Sequence, residues 1–248
     1  EVYYIGIMIL SIIINYSTGI FLHKFPKKRV ILAIGIILNI AILFSFKYAN
    51  FVAENINSLL SFFKIANIDL EPIHLPLGIS FFTFQAISYI VDVHRGEAKA
   101  QFSLVKLALY ISLFPQLIAG PIVRYNTIEK ELSSRSVDVS KFYDGIKLFI
   151  IGLSKKMLIA NTVGEVADKI FTLESAYLNP EIAWIALFAY ALQIYYDFSG
   201  YSDIAIGIAL ILGFKIPMNF NKPYFATNPV DFWRRWHISL SSWLRDYL

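Results

Sequence analysis

Apolar residues run along this chain in long stretches, and polar residues gather between them. Four stretches carry no charged side chain: Val2–Leu22, Val30–Phe46, Pro72–Val91 and Leu107–Val123. A helix that crosses a bilayer needs roughly 20 mostly apolar residues, within a range of about 17–25. Each stretch meets that length or nearly does, so the pattern predicts an all-α, polytopic transmembrane protein. The turn between the first two, Lys24-Phe25-Pro26-Lys27-Lys28-Arg29, is short and basic, which places it on the cytoplasmic side. The segment Tyr48–His74 is rich in Asn and carries Glu54, Asp69 and Glu71. Within it Val52, Ile56, Leu59, Leu60 and Phe63 recur at helical spacing. That spacing predicts an amphipathic helix lying in the outer interface.

A third span is expected over Leu75–Val91, ending at Asp92–Gly96. The fourth apolar stretch is interrupted by Pro115 and Gly120-Pro121. Proline removes a backbone donor and kinks a helix. Broken helices at membrane depth occur only where protein or a water-filled cavity surrounds them, so a broken or re-entrant element is expected here. Arg124–Asp144 reads as a polar loop of balanced charge. Gly145–Val163 is apolar but holds Lys155-Lys156, which either snorkel to an interface or face a polar interior. Ile182–Phe214 contains only Asp197 and Asp203 as charges. Gly200 lies between them, which predicts two helices or one broken helix. Lys215–Thr227, with Pro217 and Pro223, reads as a loop. There is no internal repeat and no linker-like tract, so one membrane domain over residues 1–248 is the simplest organisation.

Composition sharpens this picture. The chain is 57% hydrophobic and 16% charged, with a mean hydropathy of +0.58, against about 25% charged residues in soluble domains. It begins at Glu1 with no basic n-region and no small-residue cleavage site, so a signal peptide is a poor fit. An internal piece of a longer protein is expected, because the far end also stops within a helical pattern. The absence of cysteine excludes disulfides, thiolate metal sites and a thiol nucleophile. A net charge of +4 fits basic loops beside a bilayer, with no nucleic-acid partner. The four histidines, His23, His74, His94 and His237, lie far apart and lack zinc spacing, so no metal site is expected. No nucleophile elbow and no phosphate-binding P-loop occur. No histidine has an aspartate five positions later.

Candidate chemistry concentrates in Pro229–Leu248, PVDFWRRWHISLSSWLRDYL. Asn228-Pro229 is a strong helix start, and Asp231 falls in the first turn, where negative charge is favoured. Read as one helix, the segment separates into two faces. Phe232, Trp236, Leu240, Trp243 and Tyr247 fall on one. Arg234, His237, Ser241 and Arg245 fall on the other. Either this is an interfacial helix with an aromatic belt, or His237 is a general base on a polar, cavity-lining face. In the second case Arg234 and Arg245 disfavour the imidazolium and hold a phosphate-bearing donor. A second polar stretch, Gln193–Asp203, sets Asp197, Tyr201 and Asp203 within an apolar run. They serve either as polar glue between helices or as a functional site.

With these residues in view, the chain resembles the membrane-bound O-acyltransferase superfamily, and within it the bacterial alginate and polysaccharide O-acetyltransferase branch. The matching blocks are Pro76–Gln85 continuing to Tyr89 and Asp92–Gly96, Phe114–Tyr125, Gln193–Asp203, and Asp231–Leu240 through Arg245-Asp246-Tyr247. The resemblance implies a multi-pass protein of the bacterial inner membrane. It implies a two-histidine site in which one histidine maps onto His237 and the other, further along, is the one most often assigned as the base for an acceptor hydroxyl, while an acyl thioester such as acetyl-CoA supplies the acyl group. No bound cofactor is implied. Arg234, Ser241, Arg245, Asp197, Tyr201 and Asp203 become the candidate substrate contacts. The acceptor is an exported cell-surface polysaccharide, reached through an extracytoplasmic acetyltransferase partner. The resemblance also implies two upstream spans and a second histidine beyond Leu248, so the segment alone is expected to be inactive. An ion-coupled transporter or polysaccharide exporter is the alternative that the broken helices and intramembrane acids suggest. A purely structural scaffold is the third possibility.

Overall fold

The computed structural model describes residues 3–66, 74–118, 120–174 and 177–248. Among these the regular structure is helical, in two compact units. The first comprises Glu1–Ile118 and Arg124–Asn126; the second comprises Ala119–Val123 and Thr127–Leu248.

In the first unit α1 (Tyr3–Lys24) and α2 (Arg29–Lys47) are the two expected leading spans, joined by the basic turn. Both are long and apolar enough to cross a membrane. Two buried amides fix their register. Asn15 Nδ2 donates to Asn39 Oδ1 at 2.9 Å, and Asn39 Nδ2 donates back to Asn15 Oδ1 at 2.9 Å. Each amide also donates to a carbonyl of its own helix, Ser11 and Gly35 respectively, at 2.8 Å. A buried polar group left unpaired in hydrocarbon costs several kcal/mol. Sliding either helix would separate the pair, so the register is set by two side chains in otherwise apolar surroundings.

The amphipathic helix expected after α2 is α3 (Ala49–Phe62), none of whose residues is buried. The acids Asp69 and Glu71, and Pro72 at the start of the third apolar stretch, lie outside the described residues. Where a third span is expected over Leu75–Val91, the chain forms α4 (Ile79–Arg95), which packs against both α1 and α2. Phe82, Gln85, Tyr89, Ile90 and Asp92 on it are buried. It ends at Gly96, whose φ of 77° is the left-handed conformation favoured just past a helix. The fourth apolar stretch is broken as its prolines foretold, into α5 (Leu104–Ile111) and α6 (Phe114–Leu117). Neither piece is long enough to cross a bilayer. Tyr110 and Tyr89 set their rings against Tyr125 at 5.3 and 4.9 Å. Gln101 joins that cluster by donating its backbone N–H to Tyr89 and its amide to Tyr125, each at 2.9 Å.

The polar stretch Arg124–Asp144 is not the loop expected. It holds α7 (Tyr125–Ser133) and the start of α8 (Val139–Ser154). Apolar Ile128 and Leu132, four apart and both buried, give α7 its inner face. Asp138 starts α8 by accepting the Lys141 N–H at 2.7 Å. A π-helical turn, Lys155–Ala160, then leads into α9 (Asn161–Phe171).

The long element of the second unit is α10 (Pro180–Ile211), 32 residues in one piece. Asn179 caps it through the Ile182 N–H at 2.9 Å, with Pro180 in the first turn. The break expected at Gly200 does not occur. Glycine there serves close approach instead: a Cβ at Gly200 would sit 2.7 Å from the Gly152 carbonyl oxygen, and one at Gly152 would sit 2.5 Å from the Gly200 oxygen. One heptad away, Gly145 and Gly207 repeat the arrangement at 2.8 and 2.6 Å. Four glycines therefore let α8 and α10 run antiparallel with their backbones nearly touching, as small residues do in membrane helix pairs.

The terminal segment is likewise not one helix. α11 (Pro229–Arg235) and α12 (Ile238–Tyr247) are separated by Trp236 and His237.

Candidate active site at the helix break

The helix start at Asn228 forms as the sequence indicates, with its side chain accepting the Asp231 N–H at 2.8 Å. Asp231 in turn accepts from Arg235 Nε at 2.9 Å. The helix then stops. Trp236 is extended, and His237 adopts a left-handed backbone, φ 44° and ψ 55°. A positive φ is uncommon outside glycine, although histidine is among the residues enriched there. It needs tertiary contacts to hold it.

Those contacts come from the loop preceding α11. The Asn219 carbonyl accepts the Ile238 N–H at 2.9 Å, and Asn221 N–H donates to the Arg235 carbonyl at 2.9 Å. The Asn219 side chain, 1% exposed, goes further. Its Oδ1 lies 3.2 Å from the Ser239 backbone N, 2.9 Å from Ser239 Oγ and 3.0 Å from His237 Nδ1. Ser239 Oγ also accepts the Ile122 N–H at 2.9 Å, so its own hydrogen is available to Asn219.

This network fixes the histidine tautomer. A backbone N–H can only donate, so the Asn219 atom facing Ser239 is the carbonyl oxygen. That oxygen can only accept, so the hydrogen between it and the imidazole belongs to Nδ1. The lone pair of the neutral ring is then on Nε2. Burial pushes the His237 pKa down from 6.5 to about 4, favouring the neutral ring near pH 7. His237 lies between helices of seven and ten residues, both too short to span a bilayer.

Aromatic rings form the wall around it. Phe198 of α10 meets the imidazole edge to face at 4.8 Å. Phe220 packs between Phe198 at 5.0 Å and Trp236 at 5.1 Å. Tyr195 touches Phe220 and Trp236, and Tyr224 anchors its loop by donating to the Ala191 carbonyl at 2.6 Å.

The break redistributes the other expected site residues. Arg234 and Arg245 are exposed, and Arg245 Nε bonds Asp246 at 2.8 Å. The continuous polar face of Arg234, His237, Ser241 and Arg245 therefore does not form. What keeps His237 neutral is burial rather than these cations. Ser241 Oγ closes the break by donating to the Trp236 carbonyl at 3.3 Å. Asp203 pairs with Lys155 at 2.5 Å, and Asp197 pairs with Lys156. Tyr201 stands half-buried between them in the chain, among the buried Ser199 and Ser202. Both lysines thus face acids of α10, the Lys155 pair half-buried and the Lys156 pair more exposed.

Asn219 carried no signal in the sequence, because an asparagine in a proline-bounded loop reads as a turn residue. A recess of about 460 Å³ lies at the C-terminal end of α10, between Lys130, Arg135, Lys141 and Lys215 with Glu131 and Asp144. Arg135 stacks on Phe214 there at 5.0 Å. Among the described residues no group of His, Asp and Glu converges as a metal site.

Comparison with known proteins identifies the family of the chain. The family model described as membrane-bound O-acyltransferase matches residues 82–248. The probable alginate O-acetylase AlgI of Pseudomonas aeruginosa is 44% identical over 217 residues, covering 88% of this chain and 41% of that protein. The peptidoglycan O-acetyltransferase of Helicobacter pylori is 37% identical over 280 residues, covering 100% of this chain and 52% of that protein. The teichoic acid D-alanyltransferase of Bacillus subtilis is 34% identical over 188 residues, covering 72% and 47%. The chain spans about half the length of the curated relatives it matches. The all-helical fold, the apolar spans and the match over two-thirds of the residues agree: the chain belongs to the membrane-bound O-acyltransferase family.

Proposed function

We propose that this chain is the central part of a multi-pass inner-membrane O-acyltransferase. It moves an acetyl group from a thioester donor such as acetyl-CoA towards hydroxyls of an exported cell-surface polysaccharide. The observation that carries the reading is the held tautomer of His237. A neutral imidazole with its lone pair on Nε2 is the form a general base requires. Nε2 takes the proton of the acceptor hydroxyl, the oxygen attacks the thioester carbonyl, and the C–S bond breaks. The proton passes to the departing thiolate, giving an ester and a free thiol. A second histidine from the remainder of the protein completes the site.

The names of the relatives support a polymer acceptor, since they include an alginate O-acetylase, a peptidoglycan O-acetyltransferase and a teichoic acid D-alanyltransferase. The acetyl group reaches the polymer through an extracytoplasmic acetyltransferase partner. For the donor, the recess holding Lys130, Arg135, Lys141 and Lys215 offers four cations against two acids. Leu210 at its edge lies twelve residues along α10 from Phe198, about 18 Å at 1.5 Å per residue. Donor phosphates bind at that end and the thioester reaches towards His237. Replacing His237 in the full-length protein tests the reading. Surface-polymer O-acetylation should be lost at unchanged protein abundance, and wild-type acetylation would refute the assignment.

A further inference from the structure

The cleft between α1 and α2 is about 520 Å³ and takes no part in the proposed reaction. Its walls are Ile13, Phe21, Ile31, Ile34 and Leu38. Thr18 also borders it, but its hydroxyl is already donated to the Ile14 carbonyl at 2.8 Å. Ser17 is the other hydroxyl of the lining, and the remaining interior walls are apolar.

The mouth is basic. Lys28 lines it, and the ammonium groups of Lys28 and Lys24 approach one ring, Phe25, at 5.0 and 5.5 Å from its centroid. Lys27 and Arg29 flank them, and no Asp or Glu occurs from Val2 to Ala53. Two like charges gathered over one ring invite a bridging anion.

The depth matches a lipid tail. From Lys28 to Leu38 the helix rises about 15 Å, half of the roughly 30 Å hydrocarbon core. The cleft ends at the level of the Asn15–Asn39 pair, which ties the helices together. A neighbouring transmembrane helix would need a groove along the whole core. A cleft one leaflet deep with cations at its mouth fits a single acyl chain under an anionic headgroup.

We propose that this cleft binds an anionic phospholipid, with one acyl chain between α1 and α2 and the phosphate on Lys24 and Lys28. Juxtamembrane basic residues attract anionic lipid by about 1 kcal/mol each, a factor of about five.

Native mass spectrometry of the full-length protein tests this, with phosphatidylglycerol and phosphatidylethanolamine as competing probes. Wild type should retain phosphatidylglycerol preferentially. The K24Q/K28Q variant should lose that preference by about twenty-five-fold. Equal retention of both lipids by wild type, or an unchanged preference in the variant, overturns the proposal. A photo-crosslinking residue at Leu38 supplies the second arm. Capture of labelled phospholipid supports the site, whereas capture of the protein's own chain or of a second copy overturns it.

Discussion

His237 Nδ1 lies 3.0 Å from Asn219 Oδ1, an oxygen that also accepts from the Ser239 N–H and hydroxyl. A histidine in a left-handed backbone and an asparagine in the preceding loop thus determine each other. The loop holds the ring's tautomer, and the break that turns the ring inward exists because the loop accepts its neighbours' hydrogens.

Asn219→Asp in the full-length protein keeps the acceptor but adds a negative charge beside Nδ1, which favours the imidazolium and raises the His237 pKa. In wild type the base is neutral down to about pH 4. The acid limb of the pH–rate profile should therefore move to higher pH in the variant, with kcat falling more than KM rises. An unshifted profile would separate Asn219 from the chemistry.

Burial of His237 also couples to stability. Its folded pKa lies below the unfolded value of 6.5, so the unfolded chain binds the proton more readily. The contribution of this group is fully present above pH 6.5 and is lost progressively as pH falls from there towards 4. Thermal unfolding across that window should show a decline in wild type that is smaller in His237→Asn.

The glycine contact of α8 and α10 makes a separate prediction. Gly200→Ala improves helix propensity by about 1 kcal/mol. It also places a Cβ 2.7 Å from the Gly152 backbone oxygen, where no flexible side chain can yield. Overpacking of this kind costs about 1–3 kcal/mol. The net change should be destabilising, read as a lower Tm, whereas Gly6→Ala, with nothing within 4 Å, should not lower it. Equal responses would contradict the close approach.

The ion pairs of α10 predict non-additivity. Asp203→Leu alone leaves Lys155 half-buried without its acid. Removing one partner of a desolvated pair costs more than removing both. The double variant Lys155→Met/Asp203→Leu should therefore be closer to wild type in Tm than Asp203→Leu. A double variant as unstable as the sum of the singles would show that the pair is not coupled.

Much of the scaffold is legible from local pattern. The charge-free runs mark α1 and α2, Asn228-Pro229 marks the start of α11, and Pro115 with Gly120-Pro121 marks the broken fourth stretch. What escapes is set by partners distant in the chain. No glycine or proline follows Pro229, so nothing local announces the break at Trp236–His237; Asn219, eighteen residues before the histidine, imposes it. Gly200 reads as a breaker by itself, and only the facing Gly152 turns it into a contact. The π turn that brings Lys155 and Lys156 to two acids of one helix has no sequence signature either.

The most direct measurement is acetyl transfer from labelled acetyl-CoA by the reconstituted full-length protein, comparing wild type with His237→Asn. Asparagine tolerates the left-handed backbone, so the substitution removes the base while sparing the turn. A loss of at least about 100-fold in kcat, the usual contribution of a positioned general base, is expected with the variant still folded. Transfer at the wild-type rate would contradict it.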